Sequence, residues 1–424
     1  MAPMSSREYD VVLFGATGFT GRLVAERLVE RAPEGTRIAL AGRSLAKLAS
    51  IRDGLGERAA DWPLMLADSS NRATLTKLAR SATAVASTVG PYTKYGLPLV
   101  EACARAGTHY VDLTGEVLFM RRSIDACHEL AVESGARIVH SCGFDSIPSD
   151  LGVLILHEAA GELGETTLLV RSLRGGLSGG TIASMRAQLE ALSAEPEAKA
   201  VVADPYALSP DRDAEPDLGD EADLTGPVHD PQLGWLGPFV MADTNSRVVR
   251  RSNALAAYPY SKQFRYREAM GFGDGIAARA KAMGMASGLG ALGAAMGFGP
   301  TRAGIGRVLP KPGEGPSAED RAAGHFTMKI HGVGLDESRW VATVGSEGDP
   351  GYAATSLMLA EAVLLAASED AGMPDRAGVL TPATGLGRPL VERLRAAGMT
   401  FDVRPADEEE DAAAEPDAEP ADAD

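Results

Sequence analysis

The 424-residue sequence is short of cysteine, of aromatic rings and of clustered positive charge, and each shortage removes a class of protein. Its three cysteines, Cys103, Cys127 and Cys142, form no CxxC pair. That excludes a disulfide scaffold and points to reduced thiols in the cytosol. The seven histidines show no HExxH-type spacing, so no metal is expected. Formal net charge is −17, yet ten of the negatives crowd into residues 405–424, "PADEEEDAAAEPDAEPADAD", leaving the rest near −7. Without a basic face, no nucleic-acid partner is expected. Aromatics make up 5% against 45% hydrophobic residues, so the core must be mostly Ala, Leu and Val. The opening "MAPMSSREYD" has no apolar h-region, and the expected location is cytoplasmic.

What is present is a rhythm. "YDVVLFG", "RIALAG", "WPLMLAD", "ATAVASTVG", "HYVDLTG" and "ARIVHSCG" are near-continuous apolar runs separated by amphipathic stretches such as "RLVAERLVERA". That pattern predicts an α/β fold over residues 8–150, a Rossmann-type doubly wound parallel sheet covered on both faces. From 151 to 350 the strands alternate more: "TTLLVRSLRGG", "SRVVRRSNAL", "FRYREAMGFG", "HFTMKIHGV" and "RWVATVGSEG". They predict a second α+β domain with a mixed or antiparallel sheet, serving substrate binding and compatible with a homo-oligomer. Residues 209–234 and "LPKPGEGPSAEDRAAG" read as surface loops, and 405–424 as a disordered tail.

The first strand runs into Gly15-Ala16-Thr17-Gly18-Phe19-Thr20-Gly21. In such a loop the first glycine permits the tight turn, the second lets backbone approach a pyrophosphate, and the third lets the helix pack close. A Walker loop is excluded, because Arg22-Leu23 stand where Lys-Ser/Thr is needed. The second strand ends in Gly42-Arg43-Ser44, with Lys47 one turn later, where an NAD-binding chain usually carries an acid. Arg43, Ser44 and Lys47 suit a 2′-phosphate, so the expected cofactor is NADP(H). Asp68, closing the third strand, reads either as an acceptor for the adenine amino group or as a turn residue.

The nicotinamide end falls on "STVGPYTKYGLPLV". Gly90 and Pro91 let backbone approach the ring, and Tyr92 is a candidate proton donor or, alternatively, a packed aromatic. "VDLTGE" and "CGFDSIPSDLG" add Asp112, Glu116, Asp145, Ser146 and Asp150 at strand ends, with Asp145 as the second catalytic candidate. Asp145 and Ser146 read equally as helix caps. Tyr258 and Lys262 match the Tyr-x-x-x-Lys spacing of short-chain dehydrogenases but lie too far along the chain, and the match reads as coincidence. Arg247, Arg250 and Arg251 suit either a carrier phosphate or a solvated basic edge.

Residues 282–301, "AMGMASGLGALGAAMGFGPT", carry no charge. A packed helix, a wall over a greasy substrate and a peripheral membrane contact are the readings open to them. Under the second reading, Gly288→Asp or Ala291→Asp disturbs acyl binding.

Taken together, "GATGFTG", "ALAGRS", "TVGPYTKYGLPLV", "DLTGE", "CGFDSIPSDLG", "SGGTIASM", "RRSNAL", "PKPGEGPS", "GDPGYAATS" and "GVLTPATGLG" resemble the saccharopine dehydrogenase-like oxidoreductases, most of all their actinobacterial trans-acting enoyl reductases. The resemblance runs from about Tyr9 to Arg404. It implies a return to the first domain over 351–404, with "TSLMLAEAVLLAASEDAG" as a helix. It also implies NADPH-dependent enoyl reduction of an acyl-thioester or other lipid-like substrate, delivered by a polyketide synthase. Reduction of C=N or C=O in the manner of saccharopine dehydrogenase, and a non-catalytic NADP-binding lipid or partner-interaction protein, are the alternatives.

Overall fold

The computed structural model describes residues 7–175, 179–297, 315–368 and 372–407. All six apolar runs of the first half are strands: β1 (Tyr9–Phe14), β2 (Ile38–Gly42), β3 (Leu64–Leu66), β4 (Ala82–Ser87), β5 (His109–Asp112) and β6 (Arg137–Val139). Residues of β2, β4 and β5 are buried throughout, as strands covered by helices on both faces must be. After β7 (Leu163–Arg174), β8 (Val228–Asp230), β9 (Gly234–Gly237), β10 (Arg265–Gly271), β11 (His325–Gly334) and β12 (Arg339–Glu347) comes a short strand, β13 (Gly378–Leu380). It adds a seventh parallel strand to the first sheet, in the order β13-β6-β5-β4-β1-β2-β3. The order reverses between β1 and β4, and that reversal opens a crevice at the carboxyl ends of the strands.

The second sheet runs β14-β12-β11-β7-β10-β9-β8, its last strand in sequence being β14 (Thr400–Pro405). β7 and β10 pair parallel and the other neighbours antiparallel, so the sheet is mixed. Helix Ile147–Ala160 packs on it so closely that a Cβ on Gly152 would fall 2.3 Å from the Ile330 side chain. The stretch "SRVVRRSNAL", expected as a strand, is instead part of helix Ala242–Leu255. It buries Arg247, Arg250 and Arg251 together with Val248 and Val249, so no apolar stripe of helical period marks it. The segment 209–234 holds β8 and the start of β9 as well as loop.

The chain crosses between the sheets twice after β12. Helix Thr355–Ala366 is buried along its whole length and packs against helix Phe19–Arg31 behind the first sheet. Its one charged residue, Glu361, is held between Arg31 at 2.6 Å and Arg393 at 2.7 Å, which is how a buried carboxylate avoids its desolvation cost. β13 then joins the first sheet and β14 the second. Among the described residues, no helix is long and apolar enough to cross a membrane. The tail from 408, and 298–301 of the uncharged segment, lie outside the described residues.

Candidate active site

β1 hands directly into the glycine loop. Gly15 has φ +98°, a conformation that a side chain would strain, and a Cβ on Gly21 would lie 2.2 Å from the Gly15 carbonyl oxygen. The helix that follows, Phe19–Arg31, is preceded by Gly18, which offers no side-chain cap, and its first turn carries no acid. Its leading N–H groups are therefore left for an external acceptor. Ala16 is buried, Thr17 and Gly18 are exposed, and Phe19 and Thr20 are half-buried. This is a cradle that fits a dinucleotide pyrophosphate.

At the end of β2, Arg43 and Lys47 are exposed and, among the described residues, have no carboxylate at ion-pair distance. Ser44 caps helix Leu45–Gly54, its Oγ accepting from the Lys47 N–H at 3.4 Å, and so lies between the two cations. Two uncommitted cations flanking a hydroxyl fit a 2′-phosphate. Asp68 makes a turn, accepting from Ser70 N at 2.8 Å and Ser70 Oγ at 2.7 Å. Those bonds, with the Arg43 charge as a smaller contribution, hold its carboxyl below the usual range.

The crevice leads into a cavity of about 500 Å³. One wall comes from the ends of the first sheet: Thr20, Thr88, Gly90, Leu113, Gly115, Glu116, Phe144 and Asp145. Gly90 is the point of close approach, with the Tyr92 ring 3.6 Å and Ser184 Oγ 4.0 Å from where its Cβ would be. Pro91 precedes the short helix Tyr92–Tyr95. Glu116 organises this corner. Its carboxylate accepts from Tyr92 N at 2.9 Å, from Thr93 N at 2.7 Å, from Thr93 Oγ1 and from Ser184 Oγ at 2.6 Å.

Tyr92 does not suit the proton-donor role expected of it. It is 4% exposed, its hydroxyl donates to Ser87 O at 2.9 Å, and it accepts from Leu113 N at 3.2 Å. Burial and the nearby Asp112 push its pKa far up. The phenol is a strut between the β4 and β5 loops. Asp145 is different. It faces the cavity, accepts from its own main-chain N–H, and burial raises its pKa from 3.8 to about 7. A carboxyl balanced between its two forms near neutrality can act as a proton donor.

Its sequence neighbours have structural work. Ser146 Oγ donates to Asn245 Oδ1 at 2.9 Å, and Asn245 in turn donates to Glu268 at 2.9 Å. Asp150 accepts from Ser252 Oγ and from Ala383 N at 2.7 Å, joining three chain segments. Asp112, His140 and Ser123 form a buried chain with both His140 contacts at 2.8 Å, away from the cavity.

The opposite wall is apolar. Leu173, Phe239, Met185, Met241, Met270, Met285 and Leu289 line it. Met285 and Leu289 belong to helix Ile276–Gly297, so the uncharged segment does contribute to the cavity. Gly288 and Ala291 point outward and are exposed, so they are not the lining positions. Helix Gly179–Ala194 adds the polar groups of Thr181, Ser184 and Gln188 on one face. Arg247, Arg250 and Arg251 correct both expectations for them. They are at most 4% exposed and bond to main-chain carbonyls, including Val202, Tyr266, Leu208 and Val379, while Asp223 and Asp243 pair with Arg247 and Glu221 with Arg250. Lys262 sits 5.0 Å over the Tyr258 ring, and neither lines the cavity. Glu116, Ser184 and the methionines were legible as residues, but nothing local in sequence brings them together.

Residues 11–139 match the family model described as the saccharopine dehydrogenase NADP binding domain. A Mycobacterium tuberculosis protein provisionally named trans-acting enoyl reductase is 49% identical over 413 residues, 93% of this chain and 97% of its own length. A Mycobacterium ulcerans trans-acting enoyl reductase is 45% identical over 410 residues, covering 93% of this chain and 97% of that one. Among solved structures, saccharopine dehydrogenase (L-Glu forming) from Saccharomyces cerevisiae shares the fold, with TM-score 0.51 and 14% identity over 93% of this chain and 99% of that chain.

Proposed function

Because the chain belongs to the trans-acting enoyl reductase branch of the saccharopine dehydrogenase-like oxidoreductases, we propose that it reduces the carbon–carbon double bond of an enoyl thioester with NADPH. The observation that carries this reading is the charge of the cavity. No Lys, Arg or His lines it among the described residues, and its ionisable members are Glu116, Asp145, Asp243 and Tyr92. An amino dicarboxylate would need cations to enter such a space. A neutral thioester with a hydrocarbon chain does not, and methionine walls adapt to varied chains.

When bound, NADPH would supply the hydride that Cβ of the substrate receives. The chain's residues do the rest. Gly15, Gly18, Gly21 and the uncapped helix hold the pyrophosphate; Arg43, Ser44 and Lys47 hold the 2′-phosphate; Gly90 and Pro91 admit the nicotinamide. Asp145 gives a proton to Cα. The apolar wall, Met285 and Leu289 included, shields the acyl chain from water. The substrate class fits an acyl chain presented by a polyketide synthase for lipid assembly. Single-turnover loss of NADPH absorbance against enoyl thioester, ketone and imine panels tests the proposal. Turnover with enoyl thioesters is expected, and turnover confined to ketones or imines would refute it.

A further inference from the structure

We infer that Arg321, contributed by the segment that precedes β11, is a counter-ion for the pyrophosphate of the dinucleotide. The inference rests on NADP(H) binding as proposed above and adds a residue remote from the glycine loop.

Phe19 opens the helix that follows that loop. Its ring is enclosed from outside. Tyr352 packs edge-on at 4.8 Å, and Gly315 comes so close that a Cβ would fall 2.4 Å from the ring. Two guanidiniums flank it, Arg321 Cζ at 5.4 Å from the ring centroid and Arg22 Cζ at 5.6 Å. Positive charge here is badly placed for an empty fold. The N-terminal end of a helix is already electropositive, and cations belong at the other end. This helix has no acid in its first turn and no side-chain cap to offset them.

The local carboxylates do not account for Arg321. Arg22 is within 3.8 Å of Glu26 on the exposed side of the helix, so part of its charge is met there. Arg321 Nη1 donates to Pro316 O at 2.8 Å, and among the described residues no carboxylate reaches ion-pair distance. Asp320 takes the Ser317 hydroxyl at 2.8 Å. Asp349 is occupied by Tyr352 N at 3.0 Å and Ala353 N at 3.1 Å, with Arg321 felt only as a weaker field. A half-buried cation thus stands beside the ring of Phe19, the residue that opens the uncapped helix after the glycine loop, and a diphosphate bound at that helix end would bring it a counter-charge.

The test separates the two ends of the cofactor in the full-length protein. Affinities for NADPH, NADH and 2′-AMP are measured by fluorescence titration. Arg321→Met keeps the aliphatic packing on Phe19 and removes the charge. It should weaken NADPH and NADH by the same factor, about tenfold to a hundredfold, and leave 2′-AMP, which has no pyrophosphate, unchanged. Arg321→Lys should recover part of the loss. Arg43→Ala should show the converse, weakening 2′-AMP and NADPH but not NADH. Wild-type NADPH affinity in Arg321→Met, or an equal loss of 2′-AMP, would overturn the assignment. A parent protein that binds neither NADPH nor 2′-AMP would overturn the cofactor reading with it.

Discussion

The Ser184 hydroxyl donates to the Glu116 carboxylate at 2.6 Å, joining the second unit's helix to the strand-end loops that border the cofactor crevice. Glu116 also holds the N–H groups of Tyr92 and Thr93. Glu116→Ala leaves both donors without their acceptor and should cost about 2–4 kcal/mol of stability, whereas Ser184→Ala should cost about 1. Urea unfolding of the two variants checks this ordering. Equal losses would show that the link to Ser184, not the cap on Tyr92, dominates.

Cofactor choice should follow Arg43. It is exposed and unpaired by any carboxylate among the described residues, as a phosphate-binding guanidinium must be before its ligand arrives. Arg43→Ala should remove most of the preference for NADPH over NADH, about 1.5–3 kcal/mol for a charge-assisted contact. Titration calorimetry with both cofactors measures it, and an unchanged ratio would move the 2′-phosphate elsewhere.

Burial raises the carboxyls of Asp145, Asp150 and Glu268 to about 7. Their folded pKa values stand above the unfolded ones, so their contribution is fully present below the ordinary carboxylate pKa and is lost as pH rises toward 7. Carboxyls such as Asp10 and Glu101, held low by arginines, act in the opposite sense. For Asp10 the Arg37 bonds outweigh a desolvation that alone would raise it. Comparing Glu268→Gln with the parent isolates one group. Its unfolding free energy should fall less between pH 5 and pH 7 than the parent's, by up to about one proton's worth of slope. Catalysis should likewise weaken above about pH 7 as Asp145 loses its proton.

The wall formed by helix Ile276–Gly297 makes a sharper claim than its composition did. Met285 and Leu289 line the cavity, while Gly288 and Ala291 face away. Each methylene of substrate buried there contributes about 0.8 kcal/mol, so affinity should climb with acyl length. Met285→Asp or Leu289→Asp should flatten the climb, and Gly288→Asp should not. Acyl-chain titrations against the three variants decide it.

Much of this was legible in the chain. The six apolar runs and the Gly15–Gly21 spacing carry the first sheet and its crevice, because both are written in local pattern. β13 was not legible. Gly378-Val379-Leu380 is three residues long and is a strand only because Arg137–Val139 pairs with it from far away in sequence. Helix Ala242–Leu255 escapes its local pattern for a related reason: Arg247, Arg250 and Arg251 are buried by bonding to distant carbonyls and, for the first two, to carboxylates, so its buried face is not an apolar stripe. Asp145 was visible as a residue at a strand end, but its shifted proton affinity depends on Phe144, Met241 and the rest of the cavity closing around it.

Reduction of an enoyl thioester by this chain delivers hydride to Cβ and a proton to Cα. One turnover with unlabelled NADPH in deuterated water, with the label located in the product by mass spectrometry and NMR, measures where each hydrogen goes. The prediction is a saturated acyl thioester with one deuterium at Cα and none at Cβ, formed more slowly by Asp145→Asn. An alcohol or amine product, or deuterium at Cβ in place of Cα, would contradict it.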